Sequence, residues 1–442
     1  MLIRVRSFLF RYFKLSELNT DIRTEFLGGL TTFFTMAYII VVNPAILEAC
    51  GIPRGASITA TCLSAFIGTF LMGIYAKRPF AIAPYMGENA FVAYTVCGLL
   101  GYSWQTALGA VFIGGVLFVL LTVLRLRPWF ARCIPNSLKY AFTSGLGLFL
   151  CFIGLKQMGL VEVGLKGGSP LRPGDFHSPQ VLLGILTLIL MGFLLSRKIK
   201  GAFLIGMTLC TLLAGLLGFI RFPARIIETP HSISETFMKL DVVSALRWGF
   251  FSVILSLFIM DFVDTLGTLI GVASRAKMLD RDGNLPEIEK PMLCDAVSTC
   301  AGAILGTTTT GAYIESASGI EEGARSGLSS VVVAALFFLS LFLWPFFTVI
   351  PPYAYGPVLV LVGVFMLESM KRIDFSQPTE FLPAILVVIL ISFTYNMGIG
   401  ITAGFIVYPL MKIISGRFKE LNWGLIGLGA LSLLFYVFYP WH

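Results

Sequence analysis

Charge is scarce in this chain, and histidine is scarcer still. Charged residues make up 13% of its 442 residues, against about 25% in an ordinary soluble domain, while 57% are hydrophobic. The three histidines, His177, His231 and His442, fall in predicted loops or at the end of the chain, so the apolar stretches hold no histidine proton relay. The eight cysteines are scattered singly, without a C-x-x-C pair, which leaves no argument for a disulfide, a metal or another cofactor.

Apolar runs of about 20 residues recur along the chain, and each is long enough to cross a hydrocarbon core of about 30 Å. The sequence therefore predicts an all-α polytopic membrane protein. Seven apolar segments precede a polar connection, residues 221–242, and seven follow it. The fourteen predicted spans are residues 26–47, 56–76, 79–100, 104–124, 138–158, 179–196, 201–220, 243–272, 291–306, 307–320, 327–350, 353–370, 380–396 and 398–415.

The basic residues concentrate in alternate connections, which is the bias of cytoplasmic loops. This pattern predicts a multi-pass protein of the cell membrane, with a cytoplasmic N-terminus at residues 1–25 and an extracytoplasmic connection at 221–242. The net charge of +8 thus reports orientation among membrane lipids, and it does not indicate a nucleic-acid partner. The C-terminal segment, 416–442, contains an apolar stretch at 423–439 that is either an additional span or an interfacial helix.

Two halves of seven spans each must face opposite ways, as in transporters built from inverted repeats. The predicted repeats are residues 26–220 and 243–415. The fifth and twelfth spans support this relation, because each begins at an Ile-Pro step, Ile134–Pro135 and Ile350–Pro351, and continues into an apolar helix that contains glycine.

The third and tenth spans carry breaks at matching places in the two halves. Residues 81–91 and 305–319 both contain Gly or Pro, polar or β-branched residues, and an acidic residue. Paired interruptions of this kind mark the binding site of a transporter, and we expect short extended stretches followed by half-helices. The first span also holds Asn43–Pro44, and the proline predicts a helix end there.

Four acidic residues lie well inside apolar stretches, with no Lys or Arg within nine residues of any of them: Glu88, Asp261, Asp264 and Glu315. A carboxylate at membrane depth costs about 2.5–3.5 kcal/mol on insertion scales, so acids that are kept there indicate a function. Together they predict a polar substrate and a proton that cross the bilayer together.

Asp261 and Asp264 are three residues apart on the eighth span, which puts both carboxylates on one helix face near Thr265 and Thr268. This face is expected to line the interior and to contribute Asp261, Asp264 and Thr268 to substrate binding. The alternative is that one Asp caps a neighbouring helix or bonds a backbone break.

Glu315 follows a run of four threonines, and Glu88 and Asn89 occupy the matching break in the first half. Asn89 offers a donor and an acceptor to a heteroaromatic ring. Glu88 either binds substrate or proton, or stabilises the break by accepting backbone amides. Asp295 is interpreted as a helix N-terminal charge rather than a site residue.

A pocket of carboxylates without basic groups disfavours anions and favours a neutral ring with N–H donors, such as guanine or hypoxanthine. Adenine would need an Asn or a protonated carboxyl opposite its amino group. Tyr85, Phe91 and Tyr313 are candidates for stacking on a flat ring.

Three stretches resemble the nucleobase:cation symporter-2 family, in its purine-permease (AzgA-like) branch. They are residues 28–44 (GGLTTFFTMAYIIVVNP), 264–272 (DTLGTLIGV) and 306–328, which contains GTTTTGAYIESASG and GARSGL. The resemblance covers nearly the whole chain. It implies proton-coupled uptake of purine bases, a core domain of 26–124 and 243–350, a gate domain of 125–220 and 351–415, and a homodimer.

The resemblance implies that the family's site maps onto Asn89, one or both of Asp261 and Asp264, and Glu315. Where many members read Gly-Met-Gly-Leu-Asn, this chain reads Tyr85-Met-Gly-Glu-Asn89, and the additional acid bears on the choice among adenine, guanine and hypoxanthine. Without histidine, Asp264, Glu315 or Glu88 must carry the proton.

Other functions fit the sequence less well. Sodium coupling, or uptake of xanthine- or uracil-type bases, remains the alternative within transport. An enzyme is not expected, because an aspartyl hydrolase needs its two acids on facing helices. Pore-lining rings and a gate motif, which would indicate a channel, are not evident.

Overall fold

The computed structural model describes residues 9–126, 133–164, 171–247, 251–280, 285–394 and 396–438. Within these residues, nine helices are long and apolar enough to cross a membrane. Shorter apolar helices lie at Ala202–Leu216, Pro378–Thr394 and Trp423–Leu433. The prediction of a helical, polytopic membrane protein is confirmed, while the count of fourteen spans and the inverted relation of the two halves stay predictions.

The helices and strands with described bounds in the first half of the chain are eight helices and three short strands. In chain order these are α1 (Ile22–Met36), α2 (Ile39–Glu48), α3 (Arg54–Leu71), β1 (Ile82–Pro84), α4 (Met86–Ala90), α5 (Trp104–Val123), α6 (Asn136–Gln157), β2 (Val161–Val163), β3 (Leu171–Pro173), α7 (Pro179–Ser196) and α8 (Ala202–Leu216). π-helical turns at Met72–Ala76 and Phe91–Leu99 continue α3 and α4.

Within its described residues, the second half contains ten α-helices and one short strand. They are α9 (Val242–Ala245), α10 (Phe251–Arg275), α11 (Glu289–Leu305), β4 (Thr310–Ala312), α12 (Ser316–Glu321), α13 (Gly327–Ser340), α14 (Trp344–Thr348), α15 (Pro352–Leu367), α16 (Pro378–Thr394), α17 (Met397–Ile414) and α18 (Trp423–Phe438). The C-terminal apolar stretch is thus helical, and α18 packs against α17.

The helices pack in two groups, each drawn from both halves of the chain. The first bundle comprises α1 to α5 and α10 to α14, and the second bundle comprises α6 to α8 and α15 to α18. Most helices pack mainly against members of their own bundle. A smaller interface joins the bundles, where α10 meets α17 and α6, and α8 meets α1.

Glycines bring α6 and α15 into backbone contact at the centre of the second bundle. A Cβ at Gly147 would lie 2.6 Å from the Gly363 carbonyl oxygen, and one at Gly154 would lie 2.7 Å from that of Gly356. The earlier glycine of one helix meets the later glycine of the other, so the helices are antiparallel. Only small residues allow so close an approach. Both helices begin directly after the Ile-Pro steps noted in the sequence.

The two predicted breaks form extended strands that pair with each other. β1 and β4 are antiparallel, with Ile82 opposite Ala312 and Pro84 opposite Thr310. Each strand supplies hydrogen-bond partners for the other, which is how irregular backbone is tolerated inside a membrane protein. Extended stretches followed by short helices were expected at both places, and this expectation is confirmed.

The prediction that Asn43–Pro44 ends the first span is wrong. Pro44 lies inside α2, and the interruption falls earlier, between Met36 and Ile39. Pro44 removes one amide donor from α2, but every residue from Ile39 to Leu47 is buried, so packing on all sides of the helix outweighs that loss.

The connection between the halves lies against the first bundle. The Trp344 indole donates to the carbonyl of Thr229 at 2.9 Å, and the Thr59 hydroxyl donates to that of His231 at 2.9 Å. These bonds tie segment 221–242 to α3 and α14.

Candidate functional site

Two tyrosines flank the paired strands and bind them across the chain. The Tyr85 hydroxyl donates to the Ala312 carbonyl at 3.2 Å, and the Tyr313 hydroxyl donates to the Pro84 carbonyl at 2.5 Å. Their rings are nearly parallel, at 11°, with centroids 6.2 Å apart. Tyr313 was predicted to bind substrate, and in this structure its hydroxyl is engaged by the backbone.

Three aspartates surround Tyr85. Its hydroxyl lies in the electrostatic field of Asp295, Asp264 and Asp261 and stands 3.4 Å from the Thr265 hydroxyl oxygen. Thr265 in turn donates a hydrogen bond to the Asp295 carboxylate, which joins α10 to α11. Asp261 and Asp295 are buried, whereas Asp264 is only partly so. The structure therefore brings Asp261 and Asp264 together with Asp295.

Glu88 belongs to the same acidic group. It is fully buried on α4 and lies in the electrostatic field of Asp264 and Asp295. Neither of its carboxylate oxygens has a hydrogen-bond partner within the described part of the chain. A buried carboxylate in this state is costly unless it takes a proton or a ligand.

A chain of hydrogen bonds orients Asn89. The Thr61 hydroxyl donates to the Ser57 carbonyl at 2.7 Å, so its oxygen can only accept, and the Asn43 amide nitrogen donates to it at 2.7 Å. The Asn43 oxygen is then left to accept from the Asn89 amide nitrogen. This leaves the buried side-chain oxygen of Asn89, which has no partner among the described residues, as a fixed acceptor.

The threonine run before β4 adds buried hydroxyls near these groups. Thr307 accepts from Asn43 at 2.9 Å. The hydroxyls of Thr308, Thr309 and Thr310 are buried and unpartnered within the residues that the structure describes. They give this part of the first bundle a polar lining.

Glu315 has a different neighbourhood. It is half-buried, and one carboxylate oxygen accepts from the Tyr38 hydroxyl at 2.5 Å. Its field reaches Tyr38 and Tyr313. The predicted acidic site residues thus fall into two sets. One set lies around Tyr85, and the other is Glu315, which is bonded to Tyr38.

Open space borders α10 beyond Asp264. Thr268, one turn further on, is half-buried, and a Cβ built at Gly267 or Gly271 would meet no atom within 4 Å. This helix face is the place where a flat ligand could approach Asp264. Among the described residues, including this site, no group of three or more His, Cys, Asp or Glu side chains is placed to hold a metal ion.

Sequence analysis gave Asp295 a structural role and did not single out Tyr38. The signal for Asp295 was its position inside a predicted span, the same signal that selected the other acids. Tyr38 carried no local signal, because its role depends on a hydrogen bond to a residue in the other half of the chain.

Buried acids beside two broken, paired segments in a polytopic helical bundle define a membrane carrier. The family model described as Permease family (Xan_ur_permease) matches residues 23–407. The chain therefore belongs to this family, the nucleobase:cation symporter-2 family, whose members are transporters and not enzymes.

Two relatives and one solved structure show how far the similarity extends. The chain is 39% identical to the adenine permease AdeQ of Escherichia coli strain K12, over 96% of this chain and 95% of AdeQ. It is 38% identical to the guanine/hypoxanthine permease PbuO of Bacillus subtilis strain 168, over 93% of this chain and 96% of PbuO. The transmembrane domain of the cyanobacterial bicarbonate transporter BicA has a similar fold, with a TM-score of 0.64, 17% identity and coverage of 86% and 97%.

Proposed function

We propose that this protein takes up a purine nucleobase together with a proton. The observation that carries the proposal is Glu88, a fully buried carboxylate whose oxygens have no partner within the described residues, beside the fixed acceptor of Asn89. Two relatives named as purine permeases, for adenine and for guanine/hypoxanthine, support the class of substrate.

The chemistry of these acceptors matches the edge of a purine. With Glu88 ionised, the Glu88 carboxylate and the Asn89 side-chain oxygen are both acceptors, and they suit the N1–H of hypoxanthine or guanine and the amino group of guanine. With Glu88 protonated, the carboxyl presents one donor and one acceptor, which is the pattern needed by the ring nitrogen and amino group of adenine. The protonation state of Glu88 therefore connects the proton to the choice of purine.

Coupling follows from burial. Removing a carboxylate from water favours its neutral form, so binding of a proton at Glu88 or Asp264 lowers the cost of closing the site around a neutral base. Asp264 is the more accessible of the two and is the proposed route by which the proton reaches Glu88. Asp261, Thr268, Tyr313 and Glu315 remain proposed members of the site, with Glu315 and Tyr38 treated separately below.

The two bundles support the proposed division of the chain into a core domain and a gate domain. The first bundle, with the acids and broken segments, supports the proposed core domain, 26–124 and 243–350, and the second bundle, apart from α18, supports the proposed gate domain, 125–220 and 351–415. The proposal includes two inverted seven-span repeats, a homodimer in the cell membrane and a cytoplasmic N-terminus, the last supported by the distribution of basic residues.

The test is uptake in cells that lack their own nucleobase permeases. Labelled adenine, guanine, hypoxanthine, xanthine and uracil are supplied with and without a protonophore, and with and without sodium at fixed pH. We expect accumulation of adenine, guanine or hypoxanthine, and this accumulation should collapse with the protonophore and should not depend on sodium. Sodium-dependent accumulation, or uptake of xanthine or uracil alone, would overturn the proposal.

Two variants locate the coupling. Glu88→Gln keeps the size of the side chain and removes its proton, and Asp264→Asn does the same on α10. Each is expected to reduce gradient-driven accumulation at least tenfold. Glu17→Gln is the matched control, because Glu17 is exposed and bonded to Lys14. Undiminished accumulation in both site variants would exclude these acids as the coupling groups.

A further inference from the structure

Tyr38 contacts both bundles at the interruption between α1 and α2. Its side chain is 1% exposed, and its hydroxyl donates to Glu315 in the first bundle at 2.5 Å. The same ring packs edge-on against Phe203, at the start of α8 in the second bundle, with centroids 5.2 Å apart and planes at 85°. An edge-to-face pair of this kind is sensitive to the orientation of both rings.

Other contacts join the bundles beside this pair. Lys200 forms an ion pair with Glu322, which directly follows α12, the helix that begins after Glu315. A Cβ at Gly201 would lie 3.5 Å from the Phe34 carbonyl oxygen on α1. Residues 200–203 therefore lie against the Glu315 region through a charge, a backbone approach and an aromatic ring.

We propose that Tyr38 is a positioning residue that couples the state of Glu315 to the seating of segment 200–203, and thereby to relative movement of the two bundles. Tyr38 donates well to an ionised Glu315 and less well to a protonated one, because charge strengthens the bond. When that bond weakens, the ring is free to turn away from Phe203 and the contact between the bundles loosens. This inference rests on the proposed proton coupling, and it connects protonation of Glu315 to movement of the two bundles relative to each other.

Few charged or titratable groups of the described residues lie near the Glu315 carboxylate. From the first span the group that faces Glu315 is Tyr38, and from its own segment it is Tyr313, whose ring also lies in the field of Glu88. The hydroxyls of Thr35 and Ser318 bond each other at 2.9 Å nearby, and Ser318 donates to the Glu315 backbone carbonyl. The Tyr38 hydroxyl is the one side-chain donor seen on the Glu315 carboxylate within the described residues.

The experiment separates movement from binding. Tyr38→Phe removes only the hydroxyl, and Phe203→Leu removes the aromatic edge while keeping an apolar side chain. With labelled adenine and hypoxanthine, each variant is expected to lower the Vmax of net uptake at least tenfold while the KM changes less than threefold. The Vmax of the double variant is expected to be no lower than that of the less active single variant, because both substitutions interrupt the same connection from Glu315 through Tyr38 to Phe203. Phe193→Leu, on exposed α7, is the control.

Two results would overturn the inference. One is a wild-type Vmax in Tyr38→Phe, and the other is a double variant whose losses multiply. Thermal unfolding in detergent of the wild type, Tyr38→Phe, Phe203→Leu and the double variant tests the linkage between Tyr38 and Phe203 without a transport assay. Coupled residues give non-additive shifts in the unfolding midpoint. If the midpoint shifts are non-additive but the wild type shows no proton-driven uptake, the proposed function is disproved and the linkage between Tyr38 and Phe203 stands. If the midpoint shifts are additive, the linkage itself is disproved.

Discussion

Tyr85 and Tyr313 hold the two broken segments by equivalent bonds in opposite directions. The Tyr85 amide donates to the Thr309 carbonyl at 3.0 Å, and the Tyr313 amide donates to the Ala81 carbonyl at 2.9 Å. Each hydroxyl also donates to a carbonyl of the opposite segment. The two halves of the chain thus make the same pair of contacts with each other, which supports the proposed inverted repeat at this point.

These hydroxyl bonds predict the effect of removing either one. Tyr85→Phe and Tyr313→Phe each remove a donor from a buried carbonyl, and each is expected to lower stability by about 1 kcal/mol. The measurement is the thermal midpoint of the purified protein. Tyr75→Phe, at an exposed tyrosine, should leave the midpoint unchanged. Equal midpoints for all three variants would contradict a stabilising role for the bonds.

Gly87 lies where the first bundle touches the second. A Cβ there would lie 2.2 Å from the nearest Leu146 methyl carbon on α6 and 2.7 Å from its Cγ, so Gly87→Ala is expected to displace α4 and reduce uptake at least tenfold. Shortening Leu146 to Ala in the same protein should restore part of the uptake. Gly192→Ala, with no atom near its Cβ, is the control. A double variant as inactive as Gly87→Ala would show that Leu146 is not the obstacle.

Glu25 caps a helix from another part of the fold. It is fully buried on α1 and accepts from the backbone amides of Arg325, Ser326 and Ser329 at 2.8, 3.1 and 3.3 Å. These amides lie at the start of α13, where donors lack partners within the helix. Glu25→Ala should therefore destabilise the protein by about 3 kcal/mol, measured by thermal unfolding. Glu17→Ala, at an exposed acid, should have almost no effect, and similar losses in both would contradict the capping role.

Lys412 is a buried cation in the second bundle. Its side chain is 0% exposed and lies 2.5 Å from both Glu380 and Glu420. Lys412→Met leaves Glu380 with an uncompensated charge and should cost about 3–5 kcal/mol. Adding Glu380→Gln should recover part of that loss, because the remaining partner is then neutral. Lys371→Met removes an exposed pair and serves as control. No recovery in the double variant would argue against the ion pair as the cause.

The sequence was sufficient to find the apolar segments, both breaks and two of the four buried acids of the described residues, Glu88 and Asp261. Each of these is a local signal: a run of apolar residues, a Gly or Pro within it, or a charge where lipid solubility is expected. Pro44 shows the limit of such signals, because a proline favours a helix end only when packing does not override it.

The contacts between distant parts of the chain could not be read from local patterns. Nothing near residue 84 specifies that β1 pairs with β4, and nothing near Glu25 specifies that it caps α13. Asp295 was assigned to a helix start because its partner, Thr265, lies on another helix. The sequence shows which buried polar side chains need a hydrogen-bond partner, and only the fold shows which partner each one has.

The glycine contacts between α6 and α15 have a mechanical consequence. Where two backbones touch with no side chain between them, neither helix can rotate or slide without collision, and no rotamer change can absorb the movement. We therefore expect the second bundle to be stiff along its central pair, so that displacement during transport occurs by motion of whole bundles and not by bending within this one.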